Sequence, residues 1–150
     1  MPGKTPMLAS MSVDLDSRVA ALRRSAVFGG LDEPFLKGLA LSMSEVMFPA
    51  GRVLIESRAI ASGRYVIAEG TVIVQPRDAD PVELGPGEIV GELALLTRDG
   101  TRTARVQAAS DVRCLTLDRT TLQQAFEEEP KLAIALLQSA VERLSAQILS

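Results

Sequence analysis

Gly91-Glu92-Leu93-Ala94-Leu95-Leu96-Thr97-Arg98-Asp99-Gly100-Thr101-Arg102-Thr103-Ala104-Arg105-Val106 is the stretch on which the reading of this chain turns. It opens on a glycine, where backbone can come close to a partner. A short helix-forming apolar run follows, and a turn at Asp99-Gly100 then delivers Arg102 and Thr103. An anion needs hydrogen-bond donors for its oxygens and a cation to offset its charge, and the planar fork of an arginine holds two oxygens at once. Backbone amides at the start of a short helix, here Glu92-Leu93-Ala94, add donors and a favourable dipole. The stretch reads as a cradle for one phosphate.

Glu92 refines that reading, because a carboxylate beside a phosphate is repelled by it. The placement makes sense if Glu92 accepts a hydrogen bond from a hydroxyl of the same ligand, as acidic side chains do with ribose in dinucleotide sites. A phosphate and a sugar hydroxyl side by side imply a compact nucleotide.

Upstream of the cradle the chain changes character at Phe48-Pro49-Ala50-Gly51. Before it, residues 1–13 read as a flexible leader and residues 14–150 as one domain. Asp14 opens a helix that carries Leu15, Val19 and Leu22 at helical spacing and runs to about Val27. Phe28-Gly29-Gly30 breaks it. Asp32 and Pro34 then start a second helix, whose buried stripe is Phe35, Leu36, Leu39, Ala40 and Met43. After the turn come short Val- and Ile-rich segments closed by Gly, Pro or Asp: 53–56, 65–68, 71–75, 82–84, 102–108 and 112–117. Strands this short and this closely spaced imply a compact antiparallel sandwich or barrel. With helices at both ends, the expected fold class is α+β: an antiparallel β-roll or jelly-roll barrel flanked by N-terminal helices and two C-terminal helices.

Asp118 caps the first closing helix, in which Leu122 and Phe126 face inward, and Pro130 opens the second. Within the latter, Ile134, Leu137, Val141, Leu144 and Ile148 recur at spacings of three and four, the pattern of an a/d seam. The stripe either packs on the molecule's own barrel or forms the seam of a homodimer. Glu88 lacks the residues that follow Glu92 and reads as a turn residue. Asp78-Ala79-Asp80-Pro81 reads as a solvated turn, with no metal site implied.

Composition narrows the function classes. The chain has 150 residues, 47% of them hydrophobic, enough to bury a core in one domain. A net charge of −3 opposes broad capture of nucleic acid, which works by neutralising phosphates with Lys and Arg. There is no histidine, so Ser-His and Cys-His catalytic pairs and His-rich metal centres are absent; no enzyme activity, cofactor or metal is expected. One cysteine, Cys114, makes no intramolecular disulfide, and no signal peptide or membrane span is evident. The expected location is cytoplasmic, or the inner membrane face if the domain is attached to a channel or transporter.

Gly91-Glu92-Leu93-Ala94-Leu95 followed by Arg102-Thr103-Ala104 resembles the phosphate-binding cassette of the cyclic nucleotide-binding domains. Glu92 and Arg102 stand at the spacing of the bacterial catabolite activator type. The segment from Pro81 through the cassette is most similar to the domains of bacterial cyclic-nucleotide-gated potassium channels, and the resemblance covers roughly residues 18–149. It implies cyclic AMP or cyclic GMP as ligand. Glu92 would bind the ribose 2′-hydroxyl and Arg102 the cyclic phosphate, while Gly91, Thr103 and the Leu93 and Ala94 amides complete the cradle. Val74 would be an apolar neighbour of the base, Arg143 would stack over it, and Val90 and Ala104 flank the site. Ligand binding would be passed through the C-terminal helices to an effector such as a channel, transporter or enzyme; the alternative is a ligand-free scaffold or dimerisation module of the same fold. Two departures stand out: Glu56 is followed by Ser57 where relatives carry Gly, and no Pro precedes Arg102.

Overall fold

The computed structural model describes residues 7–55, 64–76, 80–91, 104–116 and 118–149, with side chains for 15–55, 64–76, 80–91, 105–116 and 118–142. In chain order the elements are α1 (Met7–Arg23), α2 (Glu33–Ser42), β1 (Glu45–Phe48), β2 (Val53–Ile55), β3 (Tyr65–Glu69) and β4 (Val72–Pro76). They continue with β5 (Val82–Leu84), β6 (Ile89–Val90), β7 (Ala104–Ala108), β8 (Val112–Thr116), α3 (Arg119–Glu128) and α4 (Pro130–Leu149).

Helix α1 starts at Met7, ahead of Asp14, and stops at Arg23, short of Val27. Its early end has a local cause. The hydroxyl of Ser25 accepts hydrogen bonds from the amides of Val27 (3.1 Å) and Phe28 (3.3 Å), offering the backbone an alternative to continued helix. The resulting turn drives Phe28 into the core, where it is fully buried. Helix α2 buries Leu36, Leu39 and Ala40 as its stripe predicts. Its last carbonyls are satisfied from α1: Arg18 Nη1 donates to Ala40 O (3.0 Å) and Met43 O (2.6 Å). Asp118 caps α3, its Oδ1 accepting from the Thr121 amide at 2.7 Å.

The strands form two four-stranded sheets, one in the order β1-β8-β3-β6 and the other β2-β7-β4-β5. Every pairing is antiparallel. The expectation of a closed β-roll or jelly-roll barrel is thereby corrected. Among the described residues hydrogen-bonded pairing stays within each sheet, so β1 and β6 remain edges of the first and β2 and β5 edges of the second. Closure needs each edge strand to pair across the seam, and an edge such as the two-residue β6 is too short to continue a ladder. The architecture is two facing sheets with helices against one of them.

Two apolar clusters hold these layers together. Between the sheets lie Ile55, Ile67, Val72, Val90, Val106, Ala108, Val112 and Cys114, contributed by both. On the outer face of the β1-β8-β3-β6 sheet, Val66, Ala68, Ile89 and Leu115 meet Phe28 of the turn after α1 and residues of all four helices, including Leu22, Leu36, Leu122, Leu132 and Leu136. Strand β3 thus buries Val66, Ile67 and Ala68 on alternating faces, and its run of consecutive apolar residues is that of a strand covered on both sides. Gly70 ends it at φ 91°, where a Cβ would come within 2.2 Å of the Asp111 carbonyl oxygen.

Helix α4 packs through Leu132 (0% exposed), Leu136 (2%) and Ala140 (0%). The other stripe read from the sequence lies on its free side: Ile134, Leu137 and Val141 are 58%, 52% and 50% exposed. The side chains of Leu144 and Ile148 lie outside those described.

Candidate functional site

The segment read as the cradle, residues 92–103, lies outside the described residues, and the strands on either side of it belong to different sheets. At its N-terminal end, Val90 is 1% exposed in β6 and pairs with Tyr65 of β3. The Tyr65 ring is braced edge to face by Phe48, with centroids 5.4 Å apart and planes at 80°. Gly91 then leaves the strand at φ 88°, a conformation that glycine adopts without steric cost. At the C-terminal end Ala104 enters β7 of the other sheet, paired with Pro76 of β4. Residues 92–103 therefore join an edge of one sheet to an inner strand of the other.

Of the residues assigned to the site, Val90, Gly91 and Val74 are described with their surroundings. Val74 is half-buried in β4, packed against the cluster between the sheets and paired with Val106 and Val82. Ala104 is placed by its backbone alone. Glu92, Leu93, Ala94, Arg102 and Thr103 lie outside the described residues, as do Ser57 and the side chain of Arg143. Glu88 is exposed in the turn before β6, its amide donating to Gly85 O at 3.1 Å and its carbonyl accepting from Ile67 N at 2.9 Å, as a turn residue should.

Cys114 is fully buried between the sheets, and desolvation pushes its thiol up from 9.0 to about 12. It is a small apolar filler, remote from thiolate chemistry. Among the described residues no group of three or more Cys, Asp or Glu is placed to hold a metal ion, and no helix is long and apolar enough to cross a membrane. One residue near the site escaped the reading from sequence. Arg64, immediately ahead of β3, is only 4% exposed, whereas an arginine at the border of a loop and an apolar strand reads as a solvated charge.

The model of the cyclic nucleotide-binding domain family matches residues 45–129, from the first strand through the end of α3. The chain belongs to this family. A cyclic nucleotide-gated potassium channel from Rhizobium etli is 37% identical over 95 residues, which are 63% of this chain and 26% of the channel. The CRP-like cAMP-activated global transcriptional regulator of Mycobacterium tuberculosis is 27% identical over 128 residues, 82% of this chain and 57% of the regulator. Among solved structures, the catabolite activator protein of Thermus thermophilus superposes with a TM-score of 0.72 at 25% identity, covering 83% of this chain and 61% of that one. The chain thus spans about a quarter of the channel and just over half of the regulator. A cyclic nucleotide-binding domain is a recognition module: the described residues of this one supply the packed sheets on either side of residues 92–103, and its membership implies a cyclic nucleotide as ligand.

Proposed function

We propose that this domain is a sensor that binds cyclic AMP or cyclic GMP in the segment from Gly91 to Thr103 and relays occupancy to an effector. Glu92 takes the sugar 2′-hydroxyl, Arg102 the cyclic phosphate, and Gly91, Leu93, Ala94 and Thr103 complete the cradle. Val74, Val90, Ala104 and Arg143 supply the surroundings of the base and sugar. What supports this reading is the family match over residues 45–129, together with the place of the cassette in the chain between β6 and β7, strands of different sheets that each contribute buried residues. A ligand held there touches the seam of the fold, and the helix-side cluster couples that sheet to α3 and α4.

The relay is a population shift: the ligand favours one placement of α3 and α4, which the effector reads. Taking a population from 1:99 to 99:1 requires about 5.5 kcal/mol of differential binding. Charge-assisted hydrogen bonds at about 1.5–3 kcal/mol each bring Arg102 and the cassette amides to that order. Isothermal titration with cyclic AMP and cyclic GMP tests the reading. Arg102→Ala should weaken binding at least a hundred-fold with an unchanged melting curve in the absence of ligand; equal affinity in the variant would remove Arg102 from the site.

A second reading is supported by a separate observation. Ile134, Leu137 and Val141 form an exposed apolar stripe on α4, which suits a homodimer seam, so the domain would assemble as well as sense. A domain that dimerises and shows no thermal stabilisation at millimolar cyclic nucleotide would be the scaffold alone.

A further inference from the structure

Helix α4 has two apolar faces. Leu132, Leu136 and Ala140 pack inward, while Ile134, Leu137 and Val141 stand in solvent. At about 100° of turn per residue, the two sides of the exposed stripe differ in chemistry. One flank carries Lys131, Gln138 and Glu142, all exposed, and the other carries the small side chain of Ala133. Lys131 and Glu142 are separated by about three turns and 20°, so they stand in line along the same flank. Their midpoint falls between Leu136 and Leu137, within about 1.5 Å, the rise of one residue, of the centre of the stripe.

Two copies joined through this stripe run either parallel or antiparallel, and the flanks meet differently in the two cases. In a parallel pair the two-fold axis lies along the helices. The charged flank of each copy then faces the alanine flank of the other, and Lys131 and Glu142 gain no partner across the seam. In an antiparallel pair the axis is perpendicular to both helices, so the charged flanks face each other with their heights reversed. Lys131 of each copy then stands opposite Glu142 of the other, and the apolar stripes overlap about their common centre.

We propose that this face of α4 takes a second copy of the chain in antiparallel orientation, centred on Leu137, with two reciprocal Lys131–Glu142 pairs setting the direction. The proposal deepens the reading of the stripe as a homodimer seam and rests on it. The apolar side chains supply the attraction, and the exposed ion pairs, which add little to affinity, choose between the two orientations.

The test is sedimentation equilibrium on the wild-type chain, Lys131→Glu, Glu142→Lys and the double variant Lys131→Glu/Glu142→Lys. Each single reversal sets like charges against each other in both pairs and should weaken dimerisation about five- to ten-fold. The double reversal rebuilds both pairs with exchanged signs and should bring the dissociation constant back to within about two-fold of wild type. Single losses that persist or multiply in the double variant would overturn the antiparallel arrangement, as would unchanged dimerisation in both single variants. A wild type that stays monomeric overturns the seam and this arrangement together. A wild-type dimer that Leu137→Glu dissociates and the charge reversals leave alone keeps the seam and removes only the proposed direction. Melting curves identify a variant that fails to fold; Lys131→Gln and Glu142→Gln then complete the cycle, the double variant being expected to lose no more than either single one.

Discussion

Arg113 Nη1 and Glu45 Oε1 meet at 2.6 Å across the β1–β8 pairing. The same guanidinium donates to Ser17 Oγ of α1 and approaches Glu69 of β3 at 3.3 Å. One side chain, 13% exposed, thereby fastens the first helix and three strands of a sheet to one another. Arg113→Met should lower stability by about 1.5–3 kcal/mol in urea denaturation, the range for hydrogen bonds to charged groups. The Glu69 carboxylate is 70% exposed, so Glu69→Gln should stay within about 0.5 kcal/mol of wild type. Equal effects of the two substitutions would contradict this division.

Two glycines predict opposite signs. Gly70 sits at φ 91° with the Asp111 carbonyl oxygen 2.2 Å from where a Cβ would stand, so Gly70→Ala should destabilise by more than about 1 kcal/mol. Gly38 lies inside α2 with nothing within 4 Å of that position. Gly38→Ala should stabilise by about 0.5–1 kcal/mol through the helix backbone. Thermal melts of the two variants give both answers at once.

The thiol of Cys114 should make stability fall at alkaline pH. In the unfolded chain it ionises near 9.0, and in the folded chain burial holds it protonated until about 12. The folded-state value is the raised one, so the stabilisation is fully present below pH 9 and is lost as pH climbs from there toward 12. Melting temperature measured through this range should decline, and Cys114→Ala should flatten that part of the decline. A thiol reagent at pH 8 should leave the native protein unmodified and react on unfolding.

If the α4 stripe is a dimer seam, a charge at its centre should abolish it. Leu137 is 52% exposed, so Leu137→Glu should leave the monomer's melting temperature within a few degrees of wild type. Light scattering coupled to gel filtration should then find a dimer in the wild type and a monomer in the variant. A wild type that is monomeric at the highest attainable concentration would discard the seam.

Local signals in the sequence were faithful wherever a single residue decides the backbone. Asp118 caps α3, Pro130 opens α4, and the stripe of α2 is buried as spaced. The reading failed where tertiary pairing decides. Strand β1 follows α2 with only two residues between, and its Val46-Met47-Phe48 looks like the tail of a helix followed by a turn. What makes it a strand is β8, far along the chain. Strand β6 has two residues and becomes visible only through its pairing with β3. Strand spacing is compatible with a sandwich or a barrel, because it carries no information about which edges meet; the two sheets stay separate among the described residues.

Of the residues assigned to the site, Gly91 has the positive φ that its type permits, and Val74 lies in a strand, β4, as its surroundings in sequence suggest. Arg64 was not legible: it is 4% exposed, and nothing in the residues beside it in sequence marks that burial. Glu92, Leu93, Ala94, Arg102 and Thr103 remain the residues whose roles the titrations decide.

The strand order also sets a timetable. Strand β7 lies between β2 and β4, and β8 lies between β1 and β3, so one of the two inner strands of each sheet is supplied by residues 104–116. At about 5–20 residues per second, a ribosome delivers them several seconds after β2 has been made. Until then β1 and β2 have exposed edges with no partner, and the long loops to be closed make their pairing slow. The growing chain is therefore most open to aggregation between the synthesis of Val53 and that of Thr116, an interval in which a nascent-chain chaperone would find it.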